Sequence, residues 1–164
     1  MSRKLTAIAA VMLVACLTVL PAERSAADDR QAVRAAVNQW FVVLNAMLNG
    51  DPKPFADRYS HADDTYYMGA EGTYRIGWEA IYRDWKQQAA KSTGGKVDGV
   101  KIQVTVAGDM AMAAHVTRGV VQSDGKTVEV AARETSVFRK EEGRWRMIGH
   151  HADGLKFWEE AFRN

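Results

Sequence analysis

The chain has 164 residues, 47% of them apolar and 26% charged, which is enough for one domain with a real core. Its 22 basic and 20 acidic residues leave a formal charge of +2, and that excess lies within residues 1–27, where Arg3, Lys4 and Arg24 face only Glu23. Balanced charge over the remainder argues against capture of nucleic acid, and the single cysteine, Cys16, excludes an intramolecular disulfide.

The start of the chain has the three-part form of a secretory signal. "MSRK" is basic, Leu5 to Leu20 carry no charge, and "PAERSAA" supplies small residues for cleavage. The apolar run is 16 residues long, whereas a bilayer-spanning helix needs about 20. Ser25 and Ala27 place the cut after Ala27, so the expectation is a signal peptide over 1–27 and an exported domain over 28–164, periplasmic or secreted. The alternative is "LVAC", Leu13 to Cys16, which resembles a bacterial lipoprotein box; only lipidation of Cys16 would tie the domain to a membrane.

Asp28 and Asp29 are suited to cap a helix whose apolar residues Val33, Val37, Trp40, Phe41, Leu44 and Leu48 recur at helical spacing up to Gly50. "DPKPF" bends the chain into a short second helix through about Tyr59, and "TYYMG" is a brief β-prone run. From Gly77, the residues Trp78, Ile81, Tyr82, Trp85 and Ala89 form one helical face that stops at Gly94-Gly95. There the period falls to two. "VKIQVTV" alternates Val100, Ile102, Val104 and Val106 against polar neighbours, and "MAMAAHVTRGVV", "TVEVAARETSVFRK" and "RWRMIGHHAD" follow, divided by "GD", "SDGK" and "EEG" turns. The closing "LKFWEEAFRN" reads as one or two helical turns. Helices first and strands second imply an α+β domain with N-terminal helices packed on one face of a curved antiparallel sheet.

The order of "NGD", "SHADDTYYMGAEG", a "GW" helix and hairpin strands ending "FRKEEGRWRMIGHHAD" resembles the nuclear transport factor 2-like superfamily, and within it the SnoaL-like branch, which is similar to ketosteroid isomerases. The resemblance spans about residues 29–160 and implies a cone-shaped fold around a pocket, with a homodimer formed through the sheet. It implies no single reaction, because such domains include isomerases, cyclases, dehydratases, plain binders and assembly modules. The expected ligand is a small, mostly apolar organic molecule; any chemistry would be acid–base work without metal or cofactor. A non-catalytic dimeric binding or interaction module is the alternative.

If "EEG" is a three-residue loop, Lys140 pairs with Arg144, Val137 with Met147, Arg133 with His151 and Ala131 with Asp153. Trp145 and Met147 mark that side as the inside of the cone, which puts Arg133, His151 and Asp153 on the pocket wall. Glu134, His150, Phe138 and Ile148 then face outward, the last two as dimer contacts. A register slip of one residue exchanges these roles. His151 oriented by Asp153 is a candidate base, and Asp63 or Asp64, with Tyr66 or Tyr67 as oxyanion donor, is another. No residue-by-residue match to an isomerase's catalytic set carries this further, and Asp63 and Asp64 equally suit a turn in which they bond backbone amides. The rings of Trp40, Tyr59, Tyr67 and Trp78 complete the expected pocket lining. No zinc-type ligand spacing, nucleophile elbow or phosphate-cradling glycine loop occurs.

Overall fold

The computed structural model describes residues 25–123 and 125–155. The expected signal peptide, Cys16 and the closing helical turns therefore lie outside the described residues, apart from Ser25 to Ala27 and Leu155.

The first helix, α1, spans Ala26–Leu48. It begins earlier than the two aspartates imply, because Ser25 is the N-cap and Asp28 closes a capping box back onto it. Asp29 is instead buried, where its carboxylate accepts from Lys140 Nζ at 2.8 Å and from the Trp145 indole N–H at 3.2 Å, which fastens the helix start to the sheet. The expected second helix shrinks to a 3-10 turn, Lys53–Phe55, with Pro52 before it and Pro54 within it. Two short strands follow, β1 (Tyr66–Met68) and β2 (Tyr74–Ile76), and then helix α2 (Trp78–Lys91). Four long strands complete the fold: β3 (Gly95–Ala107), β4 (Met110–Ser123), β5 (Lys126–Glu141) and β6 (Arg144–Gly154).

The six strands form one sheet in the order β2-β1-β6-β5-β4-β3. All neighbours are antiparallel except β1, which runs parallel to β6, so the sheet is mixed. Helix α1 lies across the inner face and also covers the β3 edge, where the Asn45 side chain both donates to Val97 O and accepts from Val97 N. Between helices and sheet the core is aromatic. Phe55 stacks on Trp85 at 4.0 Å between ring centres, and Trp40 tilts against Trp85 at 5.1 Å. Each buried ring of this size removes a large apolar area from water.

Two irregularities decide which side chains face that core. In β3 the pairing slips between Val100 and Gln103, with Lys101 at φ 55°; Val100 is consequently 39% exposed, against the alternation that placed it inside. In β6 the pairing slips after Phe138↔Met147 and resumes at Val137↔Gly149, so Ile148 is the extra residue of a bulge. The β5–β6 turn also differs from expectation. Glu141 pairs with Arg144, leaving Glu142 and Gly143 as a two-residue turn with φ of 50° and 75°, the positive values of a type I′ hairpin.

Candidate functional site

Strand β5 alternates without interruption, so Ala132, Glu134, Ser136 and Phe138 all point into the core. On β6 the bulge changes parity: Met147 points inward, and beyond Ile148 the inward residues are His150 and Ala152. Strand β4 presents Ala111, Ala113, His115 and Thr117 to the same side. Small residues at Ala111 and Ala113 leave room for the helices, and the polar residues gather further along, beside Trp40 of α1 and Tyr67 of β1.

Four side chains meet there. Ser136 Oγ lies 3.2 Å from His115 Nε2 and 3.2 Å from His150 Nδ1, linking the two imidazoles. Glu134 Oε2 lies 3.5 Å from His115 Nδ1 and 3.7 Å from His150 Nε2. Tyr67 stacks on the His150 ring, Trp40 tilts against it at 4.7 Å, and Phe41 meets His115 edge-on at 5.4 Å. Burial governs the charge state of this group. Loss of hydration pushes the Glu134 carboxyl up to about 7, with Thr117 and Trp40 beside it restraining the rise. The same cause pushes His115 down to about 4 and, with the neighbouring histidines adding to it, His150 down to about 3. Both imidazoles are therefore neutral at pH 7.

A cleft of about 950 Å³ opens onto this cluster between α1 and the inner face of β4, β5 and β6. Glu134, His150, Thr117, Trp40 and Tyr67 form its floor; Leu44, Met47, Val120 and Val130 are among its apolar walls. Glu71, Gln88, Arg118 and Glu129 supply polar groups to the lining. On the floor, Thr117 and Trp40 turn towards the Glu134 carboxyl, yet none of Glu134 Oε2, Thr117 Oγ1 and Trp40 Nε1 reaches a partner at full hydrogen-bond geometry within the protein. Buried polar atoms without partners are rare because each costs about 1–3 kcal/mol, and here three of them surround one cavity floor.

A family model described as the SnoaL-like domain matches residues 33–152. The chain belongs to the SnoaL-like domain family. Among solved structures it is similar to a suggested dehydratase of the nuclear transport factor 2-like family from Streptomyces avermitilis (TM-score 0.71, 18% identity, covering 80% of this chain and 99% of that one). It is also similar to a suggested ketosteroid isomerase from Shewanella frigidimarina (0.60, 20%, 74% and 94%). A third similar structure is a suggested calcium/calmodulin-dependent protein kinase II association domain from Xanthomonas campestris (0.64, 27%, 89% and 99%). No curated protein sequence matches the chain.

In this SnoaL-like fold the residues named from the sequence separate. Trp40 and Tyr67 do line the cleft. Tyr59 is fully buried instead, its hydroxyl donating to Tyr66 O, and Trp78 stacks on His61 away from the cleft. Asp64 is bound by Arg139, at 2.7 and 3.1 Å, which holds its carboxyl below the usual range and makes it a surface ion pair. The expected faces of β5 and β6 are reversed. His151, Asp153 and Arg133 lie outside, with side chains 46%, 54% and 53% exposed, and the buried pair is Glu134 with His150. The cause is the Ile148 bulge together with the shorter turn, which carry the register two residues away from the three-residue-loop pairing. Phe138 and Ile148, expected as outward dimer contacts, are buried as well. The site also takes in His115, Ser136 and Thr117; their signals in the sequence are the alternation of Ala111, Ala113, His115 and Thr117 in "MAMAAHVT" and of Glu134, Ser136 and Phe138 in "ETSVF". Among the described residues no cluster of three or more His, Cys, Asp or Glu has metal-holding geometry.

Proposed function

We propose that the domain binds a small, mostly apolar organic molecule in the cleft and exchanges a proton with it through Glu134. The observation that carries this reading is the Glu134 carboxyl itself: buried on the cleft floor, unpartnered at Oε2, and brought by burial to about 7. A group that changes charge near neutrality works as acid or base at small energetic cost, and a buried carboxyl with perturbed ionisation at a cavity is a candidate for that role. His150 and the Thr117 hydroxyl would orient the bound molecule, while Trp40 and Tyr67 would clamp its flat face. The suggested dehydratase and isomerase among the structural relatives are in keeping with acid–base work. The test is a thermal-shift and tryptophan-fluorescence screen with steroids, polyketides and aromatic acids: binding should raise the unfolding midpoint and quench Trp40. A broad library without a hit defeats the reading.

Assembly is a second proposal with its own observation. The outer face of β4 exposes Met110 at 41% and Met112 at 45%, with Val100 of β3 at 39%, an apolar strip suited to a second copy. Light scattering at micromolar concentration should give a dimer; a monomer overturns it. We also propose export, tested by fractionating cells that express the full chain; cytoplasmic, uncleaved material would refute it.

A further inference from the structure

The links among Glu134, His115, Ser136 and His150 run in a closed circuit. Ser136 Oγ joins His115 Nε2 to His150 Nδ1, and Glu134 Oε2 faces the opposite nitrogen of each ring. We infer that these four side chains form a single closed polar circuit that keeps a transferable proton on Glu134, so that the resting site is a proton donor suited to a ligand with a neutral carbonyl or hydroxyl oxygen. The inference rests on the reading of the cleft as a proton-exchanging site and gives that exchange its direction.

The donors and acceptors of the four groups fix where the protons sit. A serine hydroxyl donates one hydrogen, and a neutral imidazole donates from one nitrogen and accepts at the other. If Ser136 donates to His150 Nδ1, the His150 proton must sit on Nε2, facing Glu134. Ser136 then accepts from His115 Nε2–H, which leaves the bare His115 Nδ1 facing Glu134. The opposite direction places both protons on Nδ1. In either case the two histidines share one tautomer, and Glu134 Oε2 sees one N–H and one lone pair. An ionised carboxylate would set its charge against that lone pair; a protonated carboxyl turns a donor towards it and an acceptor towards the other ring, so every member faces a complementary group. Moving the proton to a histidine would also satisfy the count, but it creates a buried ion pair where burial disfavours both charges. Raised Glu134 and lowered His115 and His150 agree with the neutral arrangement. The two Glu134 contacts, at 3.5 and 3.7 Å, are longer than hydrogen bonds, the looseness usual where a site tightens on its ligand. His115 and Ser136 are not among the cleft-lining residues, so they act as positioning residues behind Glu134 and His150.

Histidine-nitrogen and glutamate-carboxyl NMR on the folded domain read the ring without any ligand. At pH 6 the expected result is a protonated Glu134, no imidazolium at His115 or His150, and the same tautomer at both. Ser136→Ala should uncouple the two tautomers, and Ser136→Thr, which keeps a hydroxyl, should restore the match. An imidazolium, opposite tautomers in the unaltered protein, or an ionised Glu134 at pH 6 overturns the ring. Acetophenone and benzoate, matched in shape, then test the ligand class. Acetophenone should shift the Glu134 carboxyl signal more than benzoate does, and preference for benzoate overturns the donor assignment. If the ring signals are as expected while the broad screen finds no ligand, the cleft-binding reading fails and the ring stands.

Discussion

His150 and His151 are neighbours in the chain, and each lies within 4 Å of a carboxylate, yet the two arrangements have little in common. His150 is 2% exposed, stacked on Tyr67, tilted against Trp40, and joined through Ser136 to a second histidine. His151 pairs with Asp153 at 3.4 Å on the outer face, where both side chains are about half exposed. Water screens the outer pair, and its contribution to stability is about 0–1 kcal/mol. Burial does the reverse to the inner group: it removes hydration, neutralises the imidazoles and lifts the carboxyl towards neutrality. Proximity of a histidine to a carboxylate is therefore a poor indicator of chemistry. The dielectric surroundings decide what the pair can do.

Deleting Ile148 and Gly149 together is the strongest way to break this contrast. With Met147 and His150 made adjacent, β6 would have to choose between burying one and burying the other, and keeping Met147 inside drives His151 and Asp153 into the core. We expect a loss of at least about 4 kcal/mol, since unpaired buried charge and lost packing are among the few single changes that cost so much. Urea unfolding followed by tryptophan fluorescence measures it, and a deletion variant of near-native stability would show that the spacing of Met147 and His150 is incidental. His115→Ala comes next, because it leaves a cavity beside Phe41 and deprives Ser136 of a partner. The expected cost is about 2–4 kcal/mol in the same assay.

The pH dependence sharpens the contrast. Histidines held near 4 and 3 when folded take up protons on unfolding below about 6.5, so stability falls as pH falls through that range. Glu134 works in the opposite sense. Raised to about 7 when folded, it binds a proton in the native state that the unfolded chain releases above about 4.5, so its contribution is present at low pH and fades as pH rises through 7. Between pH 4.5 and 6.5, Glu134→Gln should therefore steepen the loss of stability on acidification by about 1.4 kcal/mol per pH unit relative to the unaltered domain. Other carboxylates cancel in that difference. Parallel curves would mean that Glu134 is ionised throughout. Smallest of all is the outer face: His151→Ala should change stability by less than about 0.5 kcal/mol and leave any ligand response untouched. A larger loss would make the exposed pair the working one.

Much of the fold was legible in the chain because its signals are local. The 3.6-residue spacing from Val33 to Leu48 and from Trp78 to Ala89 placed α1 and α2, and the change to a period of two placed β3 to β6. These patterns survive because each residue answers only to its near neighbours and to one buried face. Trp40 and Tyr67 were legible as cleft residues for the same reason: large rings on inward positions. Which histidine is buried was another matter. A strand's alternation assigns faces only relative to a starting point, and a single inserted residue reverses every assignment beyond it. Nothing local to "RWRMIGHHAD" marks Ile148 as that insertion. It arises where β6 meets two partners at once: Phe138 and Val137 of β5 on one side, and on the other Tyr59, bridged to Met147, followed by β1, whose Tyr66 lies beside Gly149. The meeting of Glu134, His115, Ser136 and His150 depends on the same registers, between residues up to 35 positions apart on three strands. The sequence by itself determined the elements and the apolar stripes; only the packed sheet decided which polar side chains it would close over.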